Sequence, residues 1–99
     1  MHRITHAQAS PDFSVDLRFE DGRRAQVNLT ELVESAPIAA PFRDPARFVR
    51  ELTIAEGGDV LRWSEQFELH ADSLRYRAFP DDLERDYGPQ RRARGRSAA

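Results

Sequence analysis

Ninety-nine residues without a cysteine make one domain, with no disulfide framework, no thiol nucleophile and no cysteine-ligated zinc. Fifteen arginines face 17 acids for a net charge of −2, and no lysine is present. No apolar run approaches the roughly 18 residues of a membrane span, and Met1 to His6 lacks the apolar stretch of a signal peptide.

The charge is unevenly placed. Residues 1–88 carry 11 arginines and all 17 acids, whereas residues 89–99 carry four arginines and no acid. Along the first part the two signs are interspersed, which predicts a solvated, mutually screened surface. The arginine-only basic set, together with 13 alanines, reads as a skewed coding composition more than as a selected arginine function.

Taken in chain order, Arg3 to Ala9 is a weakly patterned first strand. Phe13, Val15, Leu17 and Phe19 alternate with Ser14, Asp16, Arg18 and Glu20, the period of a strand with one wet face. Asp21-Gly22 signals a hairpin, because glycine accepts the positive φ such turns need. Arg23 to Asn28 returns, with Ala25 and Val27 on the apolar face. Leu29, Leu32, Val33 and Ala36 form one stripe of a 3.6-residue helix, opened by an Asn28/Glu31 capping box and ended by Pro37. Pro37 to Pro41 reads as an extended linker, with Phe42 returning to the core. Asp44-Pro45 caps a short helix through Phe48. Arg50 to Ala55 is a strand with Leu52 and Ile54 on one face, Gly57-Gly58 turns, Val60 to Trp63 returns, and Phe67 to Leu69 adds a last strand. Asp72 to Tyr76 closes as one helical turn.

The expected fold is therefore α+β: antiparallel strand pairs in a five- or six-stranded sheet, with one amphipathic helix packed on it. The domain is expected over residues 1–79. Beyond Phe79 apolar periodicity collapses, and residues 80–99 read as a polar, arginine-rich, disordered tail that does not support the fold.

Candidate chemistry is sparse. On a first strand His2 and His6 share a face but lie about 13 Å apart, too far for one ion; no metal or cofactor is expected. Asp16 and Glu20 fall on the wet face of a strand, the serines lack a nucleophile-elbow context, and the glycines form no phosphate loop. Catalysis is not expected. Trp63 is read as a core residue against Phe13, Phe19 and Leu32, with a binding anchor as the alternative. Tyr76 and Phe79, following the last confident element, are candidates for an exposed docking pair. Thr5 lies on a candidate open edge strand, available to a partner strand or to a second copy of the chain. Arg91, Arg92, Arg94 and Arg96 could neutralise about four phosphates, giving weak, sequence-independent nucleic-acid binding. Two functions follow: a protein-interaction module, binding another small protein or itself as a homodimer, or a nucleic-acid-binding regulator using the tail.

The order of Phe19-Glu20-Asp21-Gly22, the helix over Asn28 to Val33, Asp44-Pro45 with Phe48, Trp63, and Asp72 to Tyr76 resembles the small bacterial family catalogued as domain of unknown function 2442. The resemblance covers residues 2–77. It implies a compact α+β domain, free-standing in the cytoplasm and encoded beside another small protein, as the neutralising half of a toxin–antitoxin-type pair. One departure stands out: Ser64-Glu65-Gln66 replaces the family's Asn-Gly-type turn after the tryptophan, implying a longer loop there. The family has no established catalytic residues, and none is carried over.

Overall fold

The computed structural model describes residues 2–88. Two three-stranded antiparallel sheets carry the fold. The first pairs β1 (Ile4–Ala9), β2 (Ser14–Phe19) and β3 (Arg24–Asn28); the second pairs β4 (Thr53–Ala55), β5 (Val60–Arg62) and β6 (Glu68–His70), each in sequence order. The single larger sheet expected from sequence is thus divided, because 24 residues of helix and turn separate β3 from β4. These comprise α1 (Thr30–Ser35), a 3₁₀ segment (Pro37–Arg43) and α2 (Pro45–Arg50). After β6 come α3 (Ala71–Ala78) and a further helix, α4, over residues 80–88.

Local chemistry explains most of these elements. Gly22 takes a φ of 88° and donates its N–H to Phe19 O, while Phe19 N–H donates to Arg23 O, which closes the β2–β3 hairpin through three residues. Asp44 accepts the Ala46 N–H at 3.1 Å, and Pro45 sits where a helix needs no donor, so α2 begins as expected. Asn28 accepts the Thr30 N–H at 3.0 Å, but no hydrogen bond returns from Glu31; only half of the predicted capping box forms among the described residues.

Other expectations are corrected. Pro37 to Pro41 is not extended: it winds as 3₁₀ helix, held by Arg43, whose Nε donates to Val33 O at 2.9 Å and whose Nη2 donates to Ala36 O at 3.3 Å. Arg50 belongs to α2, so β4 is three residues long, and Ile54 is 40% exposed instead of sharing a buried face with Leu52. Phe13 does not continue the alternation of β2. It turns at φ 65° while Asp12 Oδ1 accepts the Ser14 N–H at 3.1 Å, which tucks Ser14 inward beside Val15.

The core gathers Ile4, Val15, Leu17, Phe19 and Val27 from the first sheet, Leu29 and Val33 around α1, and an aromatic stack. Trp63 lies between Phe48 and Phe67 with ring centroids at 5.2 and 4.8 Å, and its indole N–H donates to Phe48 O at 2.9 Å. Trp63 is thus a core residue, in the same apolar cluster as Phe19 with Phe13 and Leu32 packed against it, and its ring partners are Phe48 and Phe67. Ser64, in the loop that replaces the shorter turn, accepts the Phe67 N–H through its hydroxyl at 3.1 Å and so keeps Phe67 under the indole.

The chain after Phe79 differs most from expectation. Residues 80–88 are helical, and Asp82 is only 4% exposed. Its carboxylate accepts Arg75 Nε at 2.7 Å and pairs with Arg23 at 3.2 Å and Arg85 at 3.4 Å. Arg75, itself 1% exposed, donates its remaining nitrogens to both oxygens of Asp21 at 3.1 and 2.8 Å. The fold thus reaches past residue 79, through charge pairing that an apolar pattern does not reveal. Residues 89–99, with Arg91, Arg92, Arg94 and Arg96, lie outside the described residues.

Two outcomes follow from this packing. Trp63→Ala should lower stability by about 3–5 kcal/mol in urea denaturation, as truncation of a large buried aromatic does. A chain ending at Phe79 loses Asp82 and leaves the buried Arg75 with Asp21 alone, so its melting temperature should fall by roughly 10 °C or more in a thermal scan.

Candidate interaction surface

One face of the first sheet supplies the core; the other meets solvent. Along β2 the burial alternates as the pleat requires, with Val15, Leu17 and Phe19 inward and Asp16 and Arg18 outward. Register across the three strands sets the outward side chains in rows. His6 stands opposite Arg18 and Arg18 opposite Arg24; in the next row Gln8 stands opposite Asp16 and Asp16 opposite Gln26. Gln26 Nε2 donates to Asp16 Oδ1 at 3.0 Å. Thr5, His6, Gln8, Asp16, Arg18 and Arg24 line an open hollow of about 880 Å³ on this face.

The edges of this sheet are β1 and β3, and α3 packs near β3. The register of β1 slips between Ile4 and His6, so Thr5 is the extra residue of a bulge, exposed, with its hydroxyl donating to Arg18 O at 3.2 Å. Ser10 N–H donates to Ser14 O at 2.9 Å, which fixes the alternation of the ladder: Gln8 and His6 bond toward β2, and Ala7 and Ala9 turn their N–H and C=O outward. Helix α2 and strand β4 pack near β1. Even so, no backbone hydrogen bond reaches Ala7 or Ala9 from outside β2 among the described residues. β1 is thus an edge strand, but Thr5 bonds toward β2, Ala9 is buried, and the outward groups left without a partner are those of half-buried Ala7.

Tyr76 and Phe79 do not form an exposed pair. Tyr76 is half-buried; its hydroxyl donates to Asp86 at 2.9 Å, and its ring meets His2 and Tyr87 edge-on at 5.5 and 5.7 Å. Burial and the adjacent Asp86 carboxylate push the phenol pKa up, while the phenol's hydrogen bond lowers that of Asp86. Phe79 is covered on its face by the Arg23 guanidinium at 3.7 Å, and Arg75 lies against both the Phe79 and Phe19 rings at 5.1 and 4.9 Å, the two rings meeting each other edge-on at 6.4 Å. Both aromatics are committed to holding α3 and α4 on the hairpin. Sequence reasoning missed Arg75, the centre of this cluster. The available signal was its place on the same helix face as buried Ala71 and Leu74.

The remaining candidates stay apart. His2 precedes β1 and packs on Tyr76, whereas His6 lies on the solvent face of the sheet, so the two do not share a face. His2, His70, Asp59 and Asp72 line a recess of about 140 Å³. Among the described residues no group of three or more histidines and carboxylates is placed to hold a metal ion. Among them, too, no helix is long and apolar enough to cross a membrane.

Residues 4–80 match the family described as "Protein of unknown function (DUF2442)". No curated protein matches the chain. Among solved structures, one from Nitrosomonas europaea, described as that of a "Putative DNA Binding Protein", is similar with a TM-score of 0.71 at 20% identity. The similarity covers 83% of this chain and 52% of that one, so this chain spans about half the length of its neighbour. At that identity the likeness is one of fold.

The Arg75 cluster makes stability depend on pH. Hydrogen bonds from Arg75, with a further one from the Arg23 N–H, hold the Asp21 carboxyl down at about 2, and the same guanidinium lowers Asp82. A carboxyl whose folded pKa is depressed stabilises the fold above its unfolded value near 4 and loses that contribution as pH falls toward 2. Asp21→Asn should therefore unfold at lower urea than the parent at pH 7. The gap should narrow below about pH 4 and close near pH 2, read from urea midpoints across that range.

Proposed function

Since the chain belongs to the DUF2442 family, whose description assigns no activity, we propose a role from its own surface: a non-catalytic protein-interaction module. It works in the bacterial cytoplasm by binding another small protein, as the neutralising half of a two-protein pair of toxin–antitoxin type. The observation that carries this reading is the β1 edge, where the outward backbone groups of half-buried Ala7 have no hydrogen-bond partner among the described residues, Ala9 beside it being buried. Such an edge takes an added strand: main-chain hydrogen bonds supply affinity, and alternate side chains supply specificity. The second strand comes from the partner protein or, in a symmetric dimer, from a second copy of the chain.

A nucleic-acid-binding regulator is the second reading. It is favoured by the description of the Nitrosomonas europaea neighbour and by the arginines beyond residue 88. Against it, residues 1–88 carry six more acids than arginines, which opposes approach to a phosphate backbone.

Ala7→Pro tests the first reading, because proline removes one outward N–H and is tolerated on sheet edges. The variant should unfold cooperatively in urea yet lose capture of the product of the adjacent small gene on co-expression, or lose self-association in sedimentation velocity. A folded Ala7→Pro that keeps both places the contact elsewhere. Binding of a DNA duplex that survives 200 mM salt would favour the second reading.

A further inference from the structure

We propose that the cross-strand row His6–Arg18–Arg24 on the open face of the first sheet is a docking site for an acidic protein segment, with the two arginines clamping a carboxylate side chain. This inference rests on the interaction-module reading and adds the chemistry of the partner. Arg18 and Arg24 stand directly opposite each other on neighbouring strands, both exposed, and neither makes a salt bridge among the described residues. Of the nine other arginines among the described residues, Arg3, Arg23, Arg47, Arg62, Arg75 and Arg85 pair with acids, and Arg43 and Arg77 donate to backbone carbonyls.

Like charges directly opposite in an antiparallel pair destabilise a sheet, and Cβ atoms there are about 5 Å apart. Two guanidinium groups at that spacing can converge on one carboxylate, each offering a fork of donors that matches its geometry. The one carboxylate lining the hollow, Asp16, accepts from Gln26 instead of bridging to either arginine. Gln8 in the same row leaves an amide beside the clamp. A discrete acidic side chain fits this arrangement better than a nucleic acid. Asp16 on β2 and Glu20 just after it flank Arg18, and would repel a phosphate chain that has to run past them, whereas a single carboxylate meets the arginine pair alone.

The test uses the intact chain and three probes: a fluorescent octapeptide of alternating Glu and Thr, the same peptide with Gln for Glu, and a 20-base-pair DNA duplex. The parent should bind the Glu peptide, with affinity falling as salt rises, and should bind neither of the other two comparably. Arg18→Gln and Arg24→Gln should each weaken Glu-peptide binding about tenfold or more. Each should also raise the melting temperature by about 1–4 °C, because removing one cation relieves the repulsion. A purely structural role for either arginine would give a fall in melting temperature instead. The proposal is overturned by a parent that ignores the Glu peptide, by variants that bind it as well as the parent does, by preference for the duplex, or by destabilised variants. Capture of the adjacent gene product by a parent that ignores the Glu peptide would overturn the acidic clamp alone and leave the edge reading standing.

Discussion

The burial of Arg75 constrains the rest of the molecule more than any other single contact. A guanidinium removed from water loses several kcal/mol of hydration, and only well-placed partners offset that loss. Here they come from separate elements: Asp21 from the hairpin turn, Asp82 from α4, and the rings of Phe19 and Phe79, which meet edge-on beside the cation. A shift of either acid leaves the buried guanidinium with one carboxylate in place of two. The position of the hairpin tip, the angle of α3 and the docking of α4 are thereby fixed together. Arg23 extends the arrangement by stacking on Phe79 while it shares Asp82. The apolar core alone would tolerate small slippages between these elements; directional, charge-assisted hydrogen bonds do not.

This dependence also explains which parts of the fold the sequence displays. Asp21-Gly22, Asp44-Pro45 and the alternation from Val15 to Phe19 are local signals: a turn, a cap and a pleat are each decided within a few residues, and each appears where expected. Residues 80–88 carry almost no apolar pattern. What holds them is Asp82, through arginines contributed by β3's turn and by α3, and such pairing across the chain leaves no periodic trace. Pro37 to Pro41 misleads for another reason. Two prolines suggest an extended path, but Arg43 closes back onto the carbonyls at the end of α1 and favours a tighter winding. The division into two sheets likewise depends on how α1, the 3₁₀ segment and α2 fill space, which no single stretch encodes.

The candidate surface is legible to a similar degree. The alternation of β2 places Asp16 and Arg18 on the wet face without any coordinates. Their cross-strand neighbours require the register, and the bulge at Thr5 shifts that register by one residue on β1. It is this shift that aligns His6 with Arg18 and turns Ala7 and Ala9 to the edge. The core face of the sheet is filled by residues whose size and apolarity packing dictates. The outer face carries none of that burden, so its side chains can be chosen for what they touch outside the molecule.

The spacing of the Arg75 cluster along the chain has a kinetic consequence. Asp21 sits in a three-residue hairpin loop, whereas Arg75 lies 54 residues further on. Closing a loop of that length carries an entropy penalty that grows with the logarithm of its length, while the hairpin closes almost for free by comparison. The hairpin is therefore placed to form early and the clamp late. Contacts made after the rate-limiting step leave the folding rate nearly untouched and act on the rate of opening. On this argument the cluster sets how long the folded molecule lasts more than how fast it is reached, and loosening it should raise the unfolding limb of a denaturant chevron while the folding limb stays in place.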